Sequence, residues 1–469
     1  MPGLALNLSV MKTQRLLSLL TATSLVPLAA AANFFNAGVA SAQICSEQSI
    51  QSVTGGTGKT AKSMALSSDV IGLFAGSSRD PERAKAAKDI STAMKQPTAV
   101  ARQLELSGPT RSLHFLTGPS SPDRTDYHWG ITSTDLGVAY LNPADGKTYL
   151  AFGDTGSCRS AEDDGWRSNV LVRTGDRNFG DGLHLEEALT GRGWSGSGTA
   201  RQFIDSMKQD GVEMTTIPTA GIVVNGVHYV DYMSVRKWHQ AGHWDTNYAT
   251  TMRSTDGVHW SPVAESTREN LNPSYDVISP GRSGHQPGYE NLQMAAFVEK
   301  DNYVYRLSTP NGRFDAAFLS RAPKDQFPAE DAFEYWSGSE WSNSPGVLVN
   351  SAAAVIDGPV SELSVAFSTY LNKYVALYLM EGTGLVMRTA DSLTGPWSAQ
   401  RVLVDTHTVP DLYGGFILPK QDDQHLYYVA TTWSDYNVYF MRTDLDYVGQ
   451  NTTVDDNITV DRVLEIPVY

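Results

Sequence analysis

From about residue 110 onward, apolar and polar residues fall into short runs that end in turn-forming residues. Gly221-Ile222-Val223-Val224 precedes Val227-His228-Tyr229-Val230-Asp231-Tyr232, and Tyr303–Leu307, Tyr374–Leu379 and His425–Val429 repeat the form. β-branched and aromatic runs bounded by Gly, Asn, Asp or Pro predict many short strands. A sandwich, a barrel or a propeller is written this way. A repeat chooses among them. Arg253-Ser254-Thr255-Asp256-Gly257-Val258-His259-Trp260-Ser261 resembles Arg388-Thr389-Ala390-Asp391-Ser392-Leu393-Thr394-Gly395-Pro396-Trp397-Ser398. Each follows a predicted strand and ends in a turn plus tryptophan. A hairpin turn stitched by aspartate, with tryptophan wedged against the next unit, explains the pattern. Weaker echoes stand at Leu319-Ser320-Arg321 with Tyr335-Trp336-Ser337, and at Met441-Arg442-Thr443-Asp444. Units of about 60 residues with four strands fit propeller blades, and 110–445 has room for about five.

Upstream the pattern changes. Pro81–Ile90 is rich in helix formers with proline near its first turn, and Ala93–Leu106 continues that character, interrupted by Pro97. A helical or irregular extension before the propeller is expected. Gly55-Gly56-Thr57-Gly58-Lys59-Thr60 resembles a phosphate loop, but Val53 stands where that motif needs glycine, and no buried strand precedes it.

The first 42 residues predict an export signal. Lys12 and Arg15 follow Met11, Leu16–Ala32 is apolar, and Ala40-Ser41-Ala42 is a small-x-small cleavage site. The same run could instead be read as an N-terminal anchor. No other stretch is long and apolar enough to span a bilayer. The expected layout is signal 1–42, extension 43–109, propeller 110–447 and tail 448–469, with secretion or envelope association after cleavage at Ala42. Cys45 and Cys158 are the only cysteines. In an exported chain they suggest one disulfide, two free thiols being the alternative. The net charge of −15 without basic clusters argues against nucleic acid or an anionic membrane as partner.

The candidate chemistry lies in two aspartates. Asp135 stands in Thr134-Asp135-Leu136-Gly137 and Asp154 in Phe152-Gly153-Asp154-Thr155. Two β-rich runs separate them, joined by Asn142-Pro143-Ala144-Asp145-Gly146, which reads as a hairpin. If Asn142 pairs with Lys147, Asp135 falls opposite Asp154, with Cβ atoms roughly 5 Å apart. Like charges so close resist joint ionisation, so one acid keeps its proton. A carboxylic acid beside a carboxylate is the equipment for cleaving a glycosidic bond. Asp-Gly and Gly-Asp are also ordinary turn chemistry, and spacing alone does not separate the readings. Glu362, at the start of an apolar strand, is a candidate third carboxylate; an ion pair with Arg313 or Arg388 is its other reading. Trp166, Arg167, Asn169, Tyr232, Asn247, Asn291, Gln293 and Arg313 are candidate substrate contacts, because planar polar and aromatic groups near inner strands suit sugars. No metal or cofactor is expected. No His-Glu-x-x-His spacing occurs, and Glu162-Asp163-Asp164 reads as a solvated loop. No Gly-x-Ser-x-Gly elbow in a strand-to-helix setting points to a serine hydrolase.

Several motifs in order carry a family resemblance. Besides the two aspartate motifs they are Gly165-Trp166-Arg167-Ser168-Asn169, Ile217-Pro218-Thr219-Ala220-Gly221, Tyr232-Met233-Ser234-Val235, Thr246-Asn247-Tyr248-Ala249, Asn291-Leu292-Gln293-Met294, Thr309-Pro310-Asn311-Gly312-Arg313-Phe314, Tyr335-Trp336-Ser337-Gly338, Ser361-Glu362-Leu363-Ser364-Val365, Gly395-Pro396-Trp397-Ser398 and Tyr413-Gly414-Gly415-Phe416. Over 130–445 the chain resembles the domain of unknown function 4185, associated with glycoside hydrolase family 183, the endo-D-arabinanases. The resemblance implies a five-bladed β-propeller that cleaves internal α-linkages of D-arabinan. That polymer belongs to the arabinogalactan and lipoarabinomannan of mycobacterial and corynebacterial envelopes. The family's catalytic pair maps onto Asp135 and Asp154. Leu418 departs from the family, which has histidine there. Two other functions remain open: a glycan-binding propeller without catalysis, and a structural envelope protein that docks a partner through its extension.

Overall fold

The computed structural model describes residues 100–106, 108–157, 165–270, 279–280, 284–419, 424–446 and 460–467. All of them belong to one compact unit, Phe35–Tyr469. The export signal, Cys45, Cys158, the Pro81–Ile90 run, the phosphate-loop resemblance and Glu162-Asp163-Asp164 lie outside the described residues.

Five inner strands line a central channel: Leu136–Asn142, Thr215–Val224, Met294–Lys300, Ser361–Ser368 and Leu412–Ile417. Each packs on the next, and the last packs back on the first. Each begins an antiparallel sheet whose strands run outward, so the fold is the expected all-β, five-bladed propeller. A blade is covered by a neighbour on both faces, so its middle strands are apolar on both. Lys147–Phe152 is buried from Thr148 onward, and His425–Thr432 from Leu426 onward. This is why the sequence shows apolar runs there in place of clean alternation.

The ring closes by pairing two distant parts of the chain. The fifth blade takes three strands from 412–444 and its outer strand, Thr110–Phe115, from the front of the propeller. The hydroxyls of Thr110 and Thr443 meet at 2.9 Å in the buried seam. Closure leaves no unpaired edge at the join. Beyond it, Val100–Leu106 pairs antiparallel with Val460–Pro467. The expected helical character therefore does not reach Leu106. Its strand partner lies at the far end of the chain, where no local signal reveals it.

The repeated turns are built differently. Asp256 Oδ1 accepts the N–H groups of Val258 and His259, both at 2.8 Å, and Trp260 packs on Phe203 with ring centroids 5.3 Å apart. In the fourth blade Asp391 pairs with Lys373 at 2.6 Å instead, and the Ser392 carbonyl accepts from Gly395 N–H at 2.9 Å.

Inner strands of blades one, two, four and five carry register shifts near their starts. Leu136 and Glu362 have φ of 65° and 50°, and Gly414 has φ of 66°. Bulges re-aim side chains beside a strand. Here they turn Asp135, Glu362 and Tyr413 toward one another at the starting end of the inner strands. A separate cavity of about 890 Å³ runs along the later parts of the same strands, past Ala139, Ile222, Val298, Val365 and Leu418. Leu418, the family departure, is wholly buried.

Candidate active site

The hairpin pairs Asn142 with Lys147, and that register holds to Val138 opposite Ala151. Then the bulge places Leu136 opposite Phe152, and Gly153 N–H donates to the Asp135 carbonyl at 3.1 Å. Asp135 thus stands opposite Gly153, which corrects the expectation that it faces Asp154 directly. The original register resumes at Ser133 and Gly156. The two aspartates remain neighbours, offset by the bulge. A Cβ on Gly153 would come within 2.3 Å of Asp135 Oδ1, so a glycine there lets the carboxyl lie against the backbone.

Asp135 is buried. The Tyr413 and Tyr436 hydroxyls donate to its Oδ2 at 3.1 and 3.3 Å. Its Oδ1 is buried without a partner. Burial first, and then the charge of Asp154, raise its pKa well above the usual carboxylate range; the tyrosines pull the other way. Asp154 is buried too, but its two donors are closer. Its Oδ1 accepts the Trp166 indole N–H at 2.8 Å and the Thr215 hydroxyl at 2.7 Å. Burial raises it to about 7, while Thr215, Trp166 and the Lys208 cation favour the anion. Lys208 lies 4.9 Å over the Trp166 ring and donates to the Trp166 carbonyl. With rising pH, Asp154 ionises first and Asp135 keeps its proton. The pair then presents one proton donor, whose unpartnered oxygen is Oδ1, beside one carboxylate.

Glu362 accepts Arg313 Nη2 at 2.7 Å, Arg313 Nε at 3.2 Å and Gly414 N–H at 2.8 Å. It is the ion-pair partner of Arg313, whose guanidinium lies 5.1 Å from the Tyr413 ring centre. Glu362 reaches the pair through Arg313 and Tyr413.

Of the other predicted contacts, only Trp166 stays beside the acids with part of its surface open. Asn169 is fully buried; its amide donates to the carbonyls of Ile204 and Thr216 and accepts from Phe203 and Ile204 N–H. Asn247 joins Val212, Ser234 and Arg236, and Gln293 joins Thr246, Arg268 and Tyr289. Both are fully buried. Tyr232 is buried against Tyr248. Asn291 donates to the Leu348 carbonyl at 2.9 Å. Arg167 donates to the Ala200 and Gly130 carbonyls, both at 2.6 Å. These six brace the loops and seams between blades, where buried backbone groups need partners, and the expectation of sugar contact is corrected for them. Tyr413, Tyr436, Thr215 and Lys208 were missed as site residues. Tyr413 had a signal, since it begins Tyr413-Gly414-Gly415-Phe416, but the other three stand in no pattern that marks them.

Among the described residues no group of His, Cys, Asp or Glu is arranged to hold a metal ion, and no helix is long and apolar enough to cross a membrane.

A family model described as "Domain of unknown function (DUF4185)" matches residues 120–442. The chain is 25% identical over 338 residues to notoamide biosynthesis cluster protein J of Aspergillus sp. (strain MF297-2), covering 68% of this chain and 85% of that one. It is 28% identical over 325 residues to notoamide biosynthesis cluster protein J' of Aspergillus versicolor, covering 65% and 82%. Among solved structures, an exo-beta-1,3-galactanase from Phanerochaete chrysosporium aligns with a TM-score of 0.40 at 10% identity, covering 73% of this chain and 67% of that one.

Proposed function

We propose, for a chain that belongs to the DUF4185 family, that it is a glycoside hydrolase acting on internal linkages of D-arabinan. The observation that carries the hydrolase reading is the acid pair: two buried, adjacent carboxyls with unequal environments. Asp135 holds its proton and gives it to the glycosidic oxygen as the C1–O bond breaks. Asp154, ionised first, serves the opposite side of the sugar, where water's hydroxyl is finally delivered to C1. The net change is one C1–O bond broken and one water consumed. The tyrosines hold Asp135 Oδ2. Trp166 and Thr215 orient Asp154. The choice of D-arabinan rests on the sequence resemblance to endo-D-arabinanases, and action outside the cytoplasmic membrane rests on the export signal read at 1–42.

The test is incubation of the purified protein with mycobacterial arabinogalactan, with products resolved by chromatography. A ladder of arabino-oligosaccharides is expected. A folded protein that releases nothing sinks the reading and leaves glycan binding without catalysis.

The pH dependence follows from the same pair. Ionisation of Asp154 at about 7 sets the acidic limb of kcat/KM, and loss of the Asp135 proton, higher still, sets the alkaline limb. A bell with its acidic limb near 7 is expected. A profile that stays flat from neutral down to pH 5 contradicts the assignment of Asp154 as the ionised partner.

A further inference from the structure

In each blade the second strand ends where the inner strand begins, so the loops joining second to third strands surround the acid pair. Besides the blade-one loop with its half-buried Trp166, three of these loops carry open aromatic rings among the described residues. Trp433, 36% exposed, follows the second strand of blade five, His425–Thr432. Its ring lies 6.3 Å from that of Tyr413 and 5.4 Å from that of Tyr436, the two donors to Asp135. Phe314, 46% exposed, follows the second strand of blade three, Tyr303–Thr309. It stacks on His243 of the blade-two loop at 4.5 Å and 23°. Phe314 is rigidly placed, because its neighbour Arg313 is held by Glu362 and its N–H donates to the Gly242 carbonyl at 3.1 Å. Open aromatic surface on ordered loops around a polar site marks a ligand groove.

We propose that Trp433 on one side and the Phe314–His243 stack on the other are sugar platforms of an extended cleft, which carries an uncharged polysaccharide across the acid pair. The proposal rests on the hydrolytic reading of Asp135 and Asp154 for where the chain is cut, and it adds what holds the chain. Platforms on both sides of the acids suit a polymer that continues past the cut in both directions. The charges here are largely matched, Glu362 and Glu381 facing Arg313 and Asp154 facing Lys208 while Asp135 keeps its proton, and the whole chain is acidic. Such a site holds no surplus of cations for a polyanion, and a neutral glycan needs none.

The experiment compares wild type, Trp433→Ala, Phe314→Ala and Tyr370→Ala by electrophoresis through gels containing arabinogalactan, alongside hydrolysis of the same polymer. Tyr370 is 45% exposed but follows the inner strand Ser361–Ser368, at the other end of the ring, and serves as control. Trp433→Ala and Phe314→Ala should each weaken retardation roughly tenfold, with unchanged thermal unfolding, and Tyr370→Ala should bind as wild type. Wild-type retardation in both aromatic variants overturns the cleft, and if hydrolysis persists the hydrolase reading stands. Retardation lost in the variants, in a protein that never hydrolyses the polymer, supports the cleft and sinks the hydrolase reading. A wild type that is not retarded at all overturns the cleft.

Discussion

Asn at either Asp135 or Asp154 should lower arabinan hydrolysis by at least about 10²–10⁴-fold, the usual range for removing a general acid or base. The same substitutions should not damage the fold. Asn matches Asp in shape, and the amide oxygen can still accept from Trp166 and Thr215, or from Tyr413 and Tyr436. Stability should in fact rise. The native pKa of Asp154 is raised from 3.8 to about 7. Between those values the folded protein keeps a proton that the unfolded chain has released. Stability therefore falls as pH rises through that window and levels off above 7. The difference amounts to up to about 4 kcal/mol above neutrality, at about 1.4 kcal/mol per pKa unit, and Asp154→Asn removes it. Rates on arabinogalactan, together with thermal unfolding at pH 5 and pH 8, check both halves. Near-wild-type activity in either variant removes that residue from the mechanism. A variant that is inactive because it is unfolded contradicts the account of a strained, buried acid.

Arg268→Met should destabilise the propeller by about 3–5 kcal/mol, the range for leaving a buried charge without its partner. Arg268 is fully buried on the outer strand of blade two, Ser261–Glu269. Its Nη2 donates to both oxygens of Asp231, at 2.9 and 2.7 Å. Its Nε donates to the Leu292 carbonyl at 3.0 Å, just ahead of the inner strand of blade three, and its Nη1 lies 3.8 Å from Glu330. The side chain thus joins two blades through charges that water does not reach. Methionine fills much of the volume but leaves Asp231 with only the Thr251 and Thr219 hydroxyls as side-chain partners. Urea unfolding measures the loss. A change below about 1 kcal/mol means that Asp231 is relieved by its threonines alone. Replacing Asp231 with leucine in the same chain should recover most of the loss, because a charge pair exchanged for apolar volume is often neutral.

The aspartate pair and the cleft were legible to different depths. The hairpin between Asp135 and Asp154 was readable because its turn and its two strands are consecutive, and the pairing of Asn142 with Lys147 sets the rest. The bulge at Leu136 and Gly137 was not readable as a shift of register. It depends on Leu136 N–H meeting the Thr431 hydroxyl at 3.1 Å, a residue of another blade. The amides of Asn169, Asn247 and Gln293 looked like sugar ligands because a sequence reveals polarity but not direction. Folding turned them inward, onto buried backbone and side-chain groups of neighbouring strands and loops.

What the sequence determined by itself is the all-β character, the blade repeat, the hairpin that holds both acids and the family resemblance. These rest on turns and alternation within a few residues, where backbone preference and hydrophobic burial act locally. The tertiary structure decided which strand closes the ring, which donors flank each acid, that Glu362 is committed to Arg313, and which aromatics remain open around the site. Those outcomes depend on residues brought together from different blades. Hydrogen bonding, desolvation and charge act over a few ångströms in space, with no regard to distance along the chain.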